Sequence, residues 1–294
     1  RASDLKPDIR FILNDNEMSI SRPVGALSKY FSRVITGKIY NQFRERAERF
    51  LRGLPAVGPQ MAKMAHYAEE FAKSVVSPGV FFEELGFTYV GPVDGHDCEA
   101  LIDILTRIKT DMKGPVLLHT VTRKGKGFAP AEKDPICYHG AKGFDVLTGE
   151  LPKPAAAKPT WSGAFSQQLL KTARRDPRVA VITPAMIEGS SLQAFEREIP
   201  TRIFDVGIAE EHAVTLAAGI ATKGLRPVVA IYSTFFQRGF DQAVHDVALQ
   251  KLPVIFAFDR SGLVGDDGPT HHGVLDISIL RPVPNMVLMA DRKS

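Results

Sequence analysis

Apolar and polar positions along the chain keep two rhythms, one of strands and one of helices. The run Ile9-Arg10-Phe11-Ile12-Leu13 is short and mostly apolar, and the turn formers Asn14-Asp15-Asn16 close it, which predicts a buried strand. Residues 38–76 mix charge with apolar positions at helical spacing, so that Tyr40, Phe43, Ala47, Phe50 and Leu51 share a face. Pro55 and Pro59 divide this stretch into two predicted helices. Its cations Lys38, Arg44, Arg46, Arg49 and Arg52 are interspersed with Glu45 and Glu48, the pattern of a solvated face rather than a membrane or RNA patch. After Gly79 the pattern predicts a helix at 81–85, a strand at 87–90, a helix at 98–110 and a buried strand at 115–121. In the longer helix Leu101, Ile102, Leu105 and Ile108 are expected to face inward.

Residues 149–160 carry Pro152, Pro154 and Pro159 without periodicity and read as a semi-extended linker. Beyond it the alternation restarts. Helices are predicted at 161–173, 192–198, 212–222 and 241–250, and strands at 179–183, 202–206, 227–232, 253–258 and 286–289. The expectation is an α/β chain of two domains, 1–148 and 161–294, each a mostly parallel sheet flanked by helices and each incomplete. The chain starts at Arg1 without a methionine and stops just after a strand-like run, which reads as a piece of a longer protein.

Composition narrows the class. The 294 residues are 44% apolar and 24% charged, enough to fill cores, which excludes wholesale disorder and collagen-like repeats. No apolar run approaches the length of a membrane-spanning helix, and no signal-peptide pattern opens the chain. Two cysteines, Cys98 and Cys137, cannot build a disulfide framework or a four-ligand zinc site, which suits a reducing, cytoplasmic setting. A net charge of +4 fits an anionic small molecule better than nucleic acid.

Ligands of open parallel sheets bind beyond the carboxyl ends of the strands, and the unusual polar residues here follow predicted strands. One set is Asn14, Asp15, Asn16 and Met18; another is Thr183, Pro184 and Met186; a third is Glu210, Glu211 and His212. Tyr232, Phe235 and Arg238 follow the next strand, and Asp259, Arg260, Asp267, His271 and His272 the one after, so that a single cleft is expected. Asn16 offers a hard oxygen of the kind magnesium prefers, although Asn-Asp-Asn is by itself an ordinary turn. Glu210 opens a small-residue helix. It reads either as a charge complementing the helix N-terminus or as a desolvated carboxyl group that shares a proton with a ligand. Residues 265–273 form a glycine-rich polar loop in which a histidine beside an aspartate suits proton transfer better than zinc binding. Arg123-Lys124-Gly125-Lys126-Gly127 has the look of a phosphate-binding turn.

Several runs, in their order and spacing, carry a family resemblance. They are Leu13-Asn14-Asp15-Asn16-Glu17-Met18, Gly91-Pro92-Val93-Asp94-Gly95-His96-Asp97, Pro130-Ala131-Glu132-Lys133-Asp134-Pro135 and Ile182-Thr183-Pro184-Ala185-Met186. Then come Asp205-Val206-Gly207-Ile208-Ala209-Glu210-Glu211-His212, Tyr232-Ser233-Thr234-Phe235-Phe236-Gln237-Arg238 and Asp267-Gly268-Pro269-Thr270-His271-His272-Gly273. Over essentially the whole chain they resemble the 1-deoxy-D-xylulose-5-phosphate synthase family of the thiamine-diphosphate-dependent transketolase superfamily. The resemblance implies a first domain for the diphosphate and magnesium and a second for the aminopyrimidine. It implies condensation of pyruvate with D-glyceraldehyde 3-phosphate, with loss of carbon dioxide, in a cytoplasmic homodimer (plastidial in a plant).

By the same resemblance Asn16 binds magnesium through its side chain and Met18 through its carbonyl, and Lys124 lies near the diphosphate. Glu210 hydrogen-bonds the pyrimidine N1′, Phe235 walls the pyrimidine pocket, and Met186 approaches the cofactor. His139 and His271 assist proton movement, while Tyr232, Arg238, Arg260 and Asp267 bind acceptor and phosphate. An arginine suits phosphate independently, through its bidentate fork. Arg260 also reads as a surface ion pair, and His96 as part of a helix-capping turn.

Four departures stand out. The family's Gly-Asp-Gly magnesium motif and its N-terminal histidine would precede Arg1, the third domain is missing, and Glu211 replaces a usual glutamine. The chain alone is therefore expected to be inactive. Transketolase, the E1 component of a 2-oxoacid dehydrogenase, and a non-catalytic domain of the same fold are the alternatives.

Overall fold

The apolar runs near 9–13, 87–90 and 115–121 join in one parallel sheet. The computed structural model describes residues 5–16, 18, 78–141, 143–152 and 159–290, and the chain divides into two compact units, residues 1–152 and 153–294. The predicted helices between 38 and 76 lie outside the described residues.

In the first unit β1 (Arg10–Asp15), β2 (Thr88–Asp94) and β3 (Val116–Val121) are ordered β1-β3-β2. Their register sets Asp15 and Asp94 both opposite Val121, so the three strands end in one row. Helix α1 (Pro78–Glu84) precedes β2, α2 (Cys98–Asp111) links β2 to β3, and α3 (Ala129–Lys133) follows β3. Asp97 caps α2, its Oδ1 accepting the Ala100 amide at 3.0 Å.

The core is Val116, Leu118 and Ile108, with Ile104, Met112, Val90 and Val93 packed against it. Two expectations change here. Among the described residues β1 lies at an edge of the sheet and is not a buried strand, with Ile12 60% exposed. In α2, Ile102 and Leu105 are exposed, and Ile104 with Ile108 makes the contact instead. A helix on a three-stranded sheet covers only the strands beneath it, so a wide apolar stripe is half used. A groove of about 480 Å³ between β1 and α2, lined by Arg10, Phe11, Leu105, Ile108 and Lys109 among others, holds none of the candidate site residues.

Central β3 buries His119 completely. Its Nδ1 lies 2.8 Å from the Tyr89 hydroxyl, and its Nε2, 3.6 Å from an Asp15 carboxylate oxygen, makes no hydrogen bond. Burial holds the imidazole below its ordinary pKa, against the pull of Asp15, and pushes the Tyr89 phenol up to about 12.

In the second unit the elements run α4 (Trp161–Arg175), β4 (Val179–Thr183), α5 (Gln193–Glu198), β5 (Ile203–Asp205) and α6 (Glu210–Ala221). They continue with β6 (Arg226–Tyr232), α7 (Ser233–Phe236), α8 (Phe240–Gln242), β7 (Ile255–Asp259) and α9 (Asp276–Leu280). The parallel sheet is ordered β5-β4-β6-β7, with Thr183 opposite Asp205 and Tyr232 opposite Asp259.

Both faces are covered. Val181, Val228 and Ala230 pack with Leu169, Leu170 and Phe195 on one side. Ile182, Val229 and Ile231 pack with Val214, Phe236 and Leu280 on the other. That is the period of two expected of strands buried on both faces. The helix predicted at 241–250 is one stretch of a longer irregular one, which begins at Ser233 and becomes a π-helix over Ala243–Ala248. The strand expected at 286–289 does not form; those residues carry no regular secondary structure and have no ladder partner among the described residues.

Two outcomes follow. Phe195→Ala, at a fully buried position, should lower the stability of the second unit by about 3–5 kcal/mol, read from urea unfolding through Trp161, the one tryptophan of the chain. Because the folded His119 resists protonation, the unfolded chain takes up the proton first as pH falls below about 6.5. Stability of the first unit should therefore drop from pH 7.5 to pH 5.5, with a shallower slope in His119→Gln, measured as urea midpoints by circular dichroism.

Candidate functional site

At the carboxyl edge of the second sheet a single aspartate ties two loops together. Asp205 Oδ1 accepts the amides of Ala185 and Gly207, each at 2.9 Å, joining the loop after β4 to the loop that leads into α6. Glu210 is the first residue of α6, where the helix dipole favours a carboxylate, yet it is only 2% exposed. A buried carboxylate needs a cation, and Arg238 supplies it: Nη1 lies 3.2 Å from Oε1 and 3.3 Å from Oε2. The arginine side chain is 58% exposed, so one nitrogen reaches inward while the rest of the guanidinium faces solvent. Gly239 makes this approach possible, because a Cβ there would stand 2.8 Å from Val214 Cγ2 and 3.3 Å from the Glu210 carbonyl oxygen.

The end of β6 and the start of α7, just before Arg238 in the chain, build an aromatic wall. Tyr232 stacks on Phe235 with centroids 5.6 Å apart, and His271 meets the Phe235 ring edge-on at 5.2 Å. Arg260 lies over Tyr232, its Cζ 4.7 Å from the ring centroid. Its Nη1 bonds Asp259 Oδ1 at 3.0 Å and its Nε bonds Asp267 Oδ2 at 3.2 Å. Arg260 adopts this arrangement with φ at +58°, in the left-handed region. The ion-pair reading of Arg260 thus describes what the structure contains. Burial raises the Tyr232 phenol above its ordinary pKa; Asp259 and Asp267 add to the rise and Arg260 opposes it. Met186 is buried in the loop after β4, and that loop presses on Tyr232: a Cβ on Gly189 would overlap the Tyr232 hydroxyl.

In the first unit the strand ends carry the remaining candidates. Asn16 Oδ1 accepts the Met18 amide at 3.0 Å, and both residues are half-buried. Thr122, just past β3, donates from Oγ1 to Asn14 Oδ1 at 2.7 Å and from its amide to the Asp15 carbonyl at 2.7 Å. Lys124 sits half-buried in the basic turn that follows. His139 lies in an exposed turn next to Tyr138, which packs against Phe128 and Phe144.

Among the described residues no three of His, Cys, Asp and Glu gather as a metal cluster. A carboxamide oxygen that accepts one amide keeps a second lone pair. Asn16 with the Met18 carbonyl is therefore a hard but uncharged donor set, which fits a magnesium ion whose negative partners are phosphates. The buried Glu210 carboxylate fits a polar heteroaromatic ring, since the arginine nitrogen leaves lone pairs unused.

Within the second unit, then, Glu210 comes together with Arg238, and Tyr232 with Phe235, Arg260, Asp267 and His271; residues 233–239 link the two groups. Sequence reasoning missed the residues that hold them. Asp205 is one. Asp276 is another, its Oδ2 accepting from Ser233 at 3.0 Å and Ser261 at 2.8 Å. Asp259, already marked in the sequence as a polar residue after its strand, acts with these two and accepts from Ser162 at 2.6 Å. Their only sequence signal is an aspartate at the end of a strand or the start of a helix, which many turns share.

Residues 1–122 match the family model described as 1-deoxy-D-xylulose-5-phosphate synthase, and residues 157–291 match that of the transketolase pyrimidine binding domain. Proteins named 1-deoxy-D-xylulose-5-phosphate synthase are similar throughout. That of Aquifex aeolicus is 55% identical over 293 residues, that of Methylococcus capsulatus 55% over 290, and that of Proteus mirabilis 52% over 289. These alignments take in 98–99% of this chain and 45–46% of each relative, so the chain spans about half their length.

Removing the cation should expose the cost of the buried charge. Arg238→Ala is expected to lower the stability of the second unit by about 1–3 kcal/mol, and adding Glu210→Gln should recover most of it. Urea unfolding of the two single variants and the double variant measures the coupling.

Proposed function

The chain belongs to the 1-deoxy-D-xylulose-5-phosphate synthase family, and from that premise we propose that it serves the joining of pyruvate to D-glyceraldehyde 3-phosphate. Carbon dioxide leaves and 1-deoxy-D-xylulose 5-phosphate forms, a precursor for isoprenoid, thiamine and pyridoxal synthesis. The observation that carries this reading is the buried Glu210 carboxylate, paired with one nitrogen of an arginine that follows the Tyr232–Phe235 stack by three residues. Thiamine diphosphate, when bound, supplies the electron sink for the decarboxylation.

The residues of the second unit hold and orient its ring. Glu210 would hydrogen-bond the pyrimidine N1′ and hold a proton there, a role that suits a dry, fixed carboxyl group. Arg238 steadies that carboxylate from the solvent side and keeps its free edge for an anion. Phe235, backed by Tyr232, walls the ring and excludes water, and Met186 packs from the loop after β4. His271, against Phe235, moves protons near the substrate; its Nδ1 is 2.9 Å from the Thr270 hydroxyl. Arg260 and Asp267, already bonded to each other, take the phosphate and hydroxyls of the acceptor, so the phosphate competes with two carboxylates for one guanidinium.

In the first unit Asn16 and the Met18 carbonyl would hold magnesium, Lys124 the diphosphate, and His139 would assist proton movement. With so few charged donors, the 294-residue chain by itself is expected to bind thiamine diphosphate with magnesium more weakly than micromolar. Activity then belongs to a protein of the relatives' length, a cytoplasmic homodimer in this reading. Among the described residues no helix is long and apolar enough to cross a membrane.

The test is an assay of the gene product that carries this sequence, with pyruvate and D-glyceraldehyde 3-phosphate as substrates and a ketose donor or lipoamide as comparison. Product should form with the first pair, and Glu210→Ala should reduce kcat by about 10²-fold or more. Turnover that survives Glu210→Ala would support a non-catalytic role for this residue, and preference for the ketose donor would support a transketolase.

A further inference from the structure

The basic turn at residues 123–127 is clamped from two sides. On one side the Arg123 amide donates to His96 Nε2 at 2.8 Å. On the other, the Gly127 amide donates to Glu132 Oε1 at 3.0 Å, and the Arg123 guanidinium pairs with the same carboxylate at 3.0 Å. Within the turn the Lys126 amide returns to the Arg123 carbonyl at 3.1 Å. Gly125 and Gly127 take φ values of +80° and +94°, and a Cβ on Gly125 would lie 2.7 Å from the Ala131 carbonyl carbon. The backbone is therefore tightly determined, while the Lys124 and Lys126 side chains have no hydrogen-bond or ion-pair partner among the described residues.

His96 reaches the turn from the end of β2, and its own backbone is held. Its amide donates to Asp94 Oδ1 at 2.9 Å, and the Gly95 amide donates to the Val121 carbonyl at 2.8 Å. A Cβ on Gly95 would stand 2.5 Å from Thr122 Cγ2, so this loop and the one after β3 touch without a gap. Capping of α2 is done by Asp97, so the helix has no use for the His96 ring. An imidazole nitrogen that accepts from an amide has a free lone pair, so the ring is neutral with its proton on Nδ1. The ring's one bonded atom thus belongs to a contact between two strand-end loops.

We propose that His96 is a positioning residue: by accepting the Arg123 amide it holds the turn that carries Lys124 and Lys126 in the shape that receives a diphosphate. The inference rests on the reading that this turn meets the diphosphate of the cofactor. His96 touches no ligand itself. Without the acceptor the charge of the turn is unchanged, but the Arg123 amide turns to water and the two lysines lose their fixed spacing, an ordering cost that returns on binding.

The experiment uses the 294-residue chain, inorganic pyrophosphate as probe, and three variants. His96→Ala and His96→Phe remove the acceptor, whereas His96→Gln places an amide oxygen near the site of Nε2. Hydrogen exchange at the Arg123 amide and pyrophosphate titration calorimetry are the two readouts. Exchange at Arg123 should quicken about ten-fold in the Ala and Phe variants and return toward the parent rate in Gln, and pyrophosphate affinity should fall and recover in parallel by about the same factor. Amides of α2 should keep the parent exchange rate, because the Asp97 cap is untouched. Unchanged exchange at Arg123 in His96→Ala overturns the proposal, as does unchanged pyrophosphate affinity once that amide is released. Failure of the underlying reading looks different: the parent chain does not bind pyrophosphate although His96→Ala still frees the amide, and this overturns the diphosphate as the ligand of the turn.

Discussion

A carboxylate enclosed at the start of α6 is tolerable only while a positive charge stays against it, and the arrangement of the second unit follows from meeting that condition. Arg238 stands 28 positions further along the chain, and it reaches Glu210 because the turn Gln237–Gly239 that carries it packs against α6. Gly239 removes the side chain that would hold the two segments apart. The pair is asymmetric: the acid is dry and the base half in water. The carboxylate is thereby kept away from solvent without being left uncompensated, and the rest of the guanidinium stays exposed.

Around this pair the aspartates act as ties. Asp205 fastens the loop bearing Met186 to the approach to Glu210, Asp276 fastens Ser233 to Ser261, and Asp259 shares its carboxylate between Ser162 and Arg260. Each bonds across strand ends that the parallel register has already aligned. The first unit uses the same device with different groups: Thr122 holds Asn14, and His96 holds Arg123. In both units regular structure positions the strand ends and a few side chains fix the loops, so rigidity is placed where a ligand is expected.

Much of this was legible in the residue pattern. Strands β1 to β7 and helices α2, α4, α5 and α6 fall near their predicted positions, because a period of two or of 3.6 is a local property that survives in any context. The grouping of Tyr232, Phe235, Arg260 and His271 was also legible, since each follows a strand of a parallel sheet and such ends share one edge. Exposure was less legible. Ile12 and Ile102 have the composition of core residues but lie open, because the number of strands that a helix covers cannot be read from the helix itself. The run at 286–289 is as apolar as a strand and has no ladder partner, so pairing rather than propensity decided it.

The sequence by itself determined two consecutive βα arrays, a proline-rich stretch between them, and an order of motifs specific enough to name a family. It also marked Glu210, Asn16 and Lys124 as unusual, because residue type and distance from a strand end are both written locally. Only the tertiary structure decided which groups pair: that Arg238 answers Glu210, that Arg260 is shared between Asp259 and Asp267 over Tyr232, and that the His96 ring serves the turn after β3 rather than the helix beside it. Those choices depend on strand order, register and the space left by a missing Cβ, quantities that exist only once distant segments are packed together.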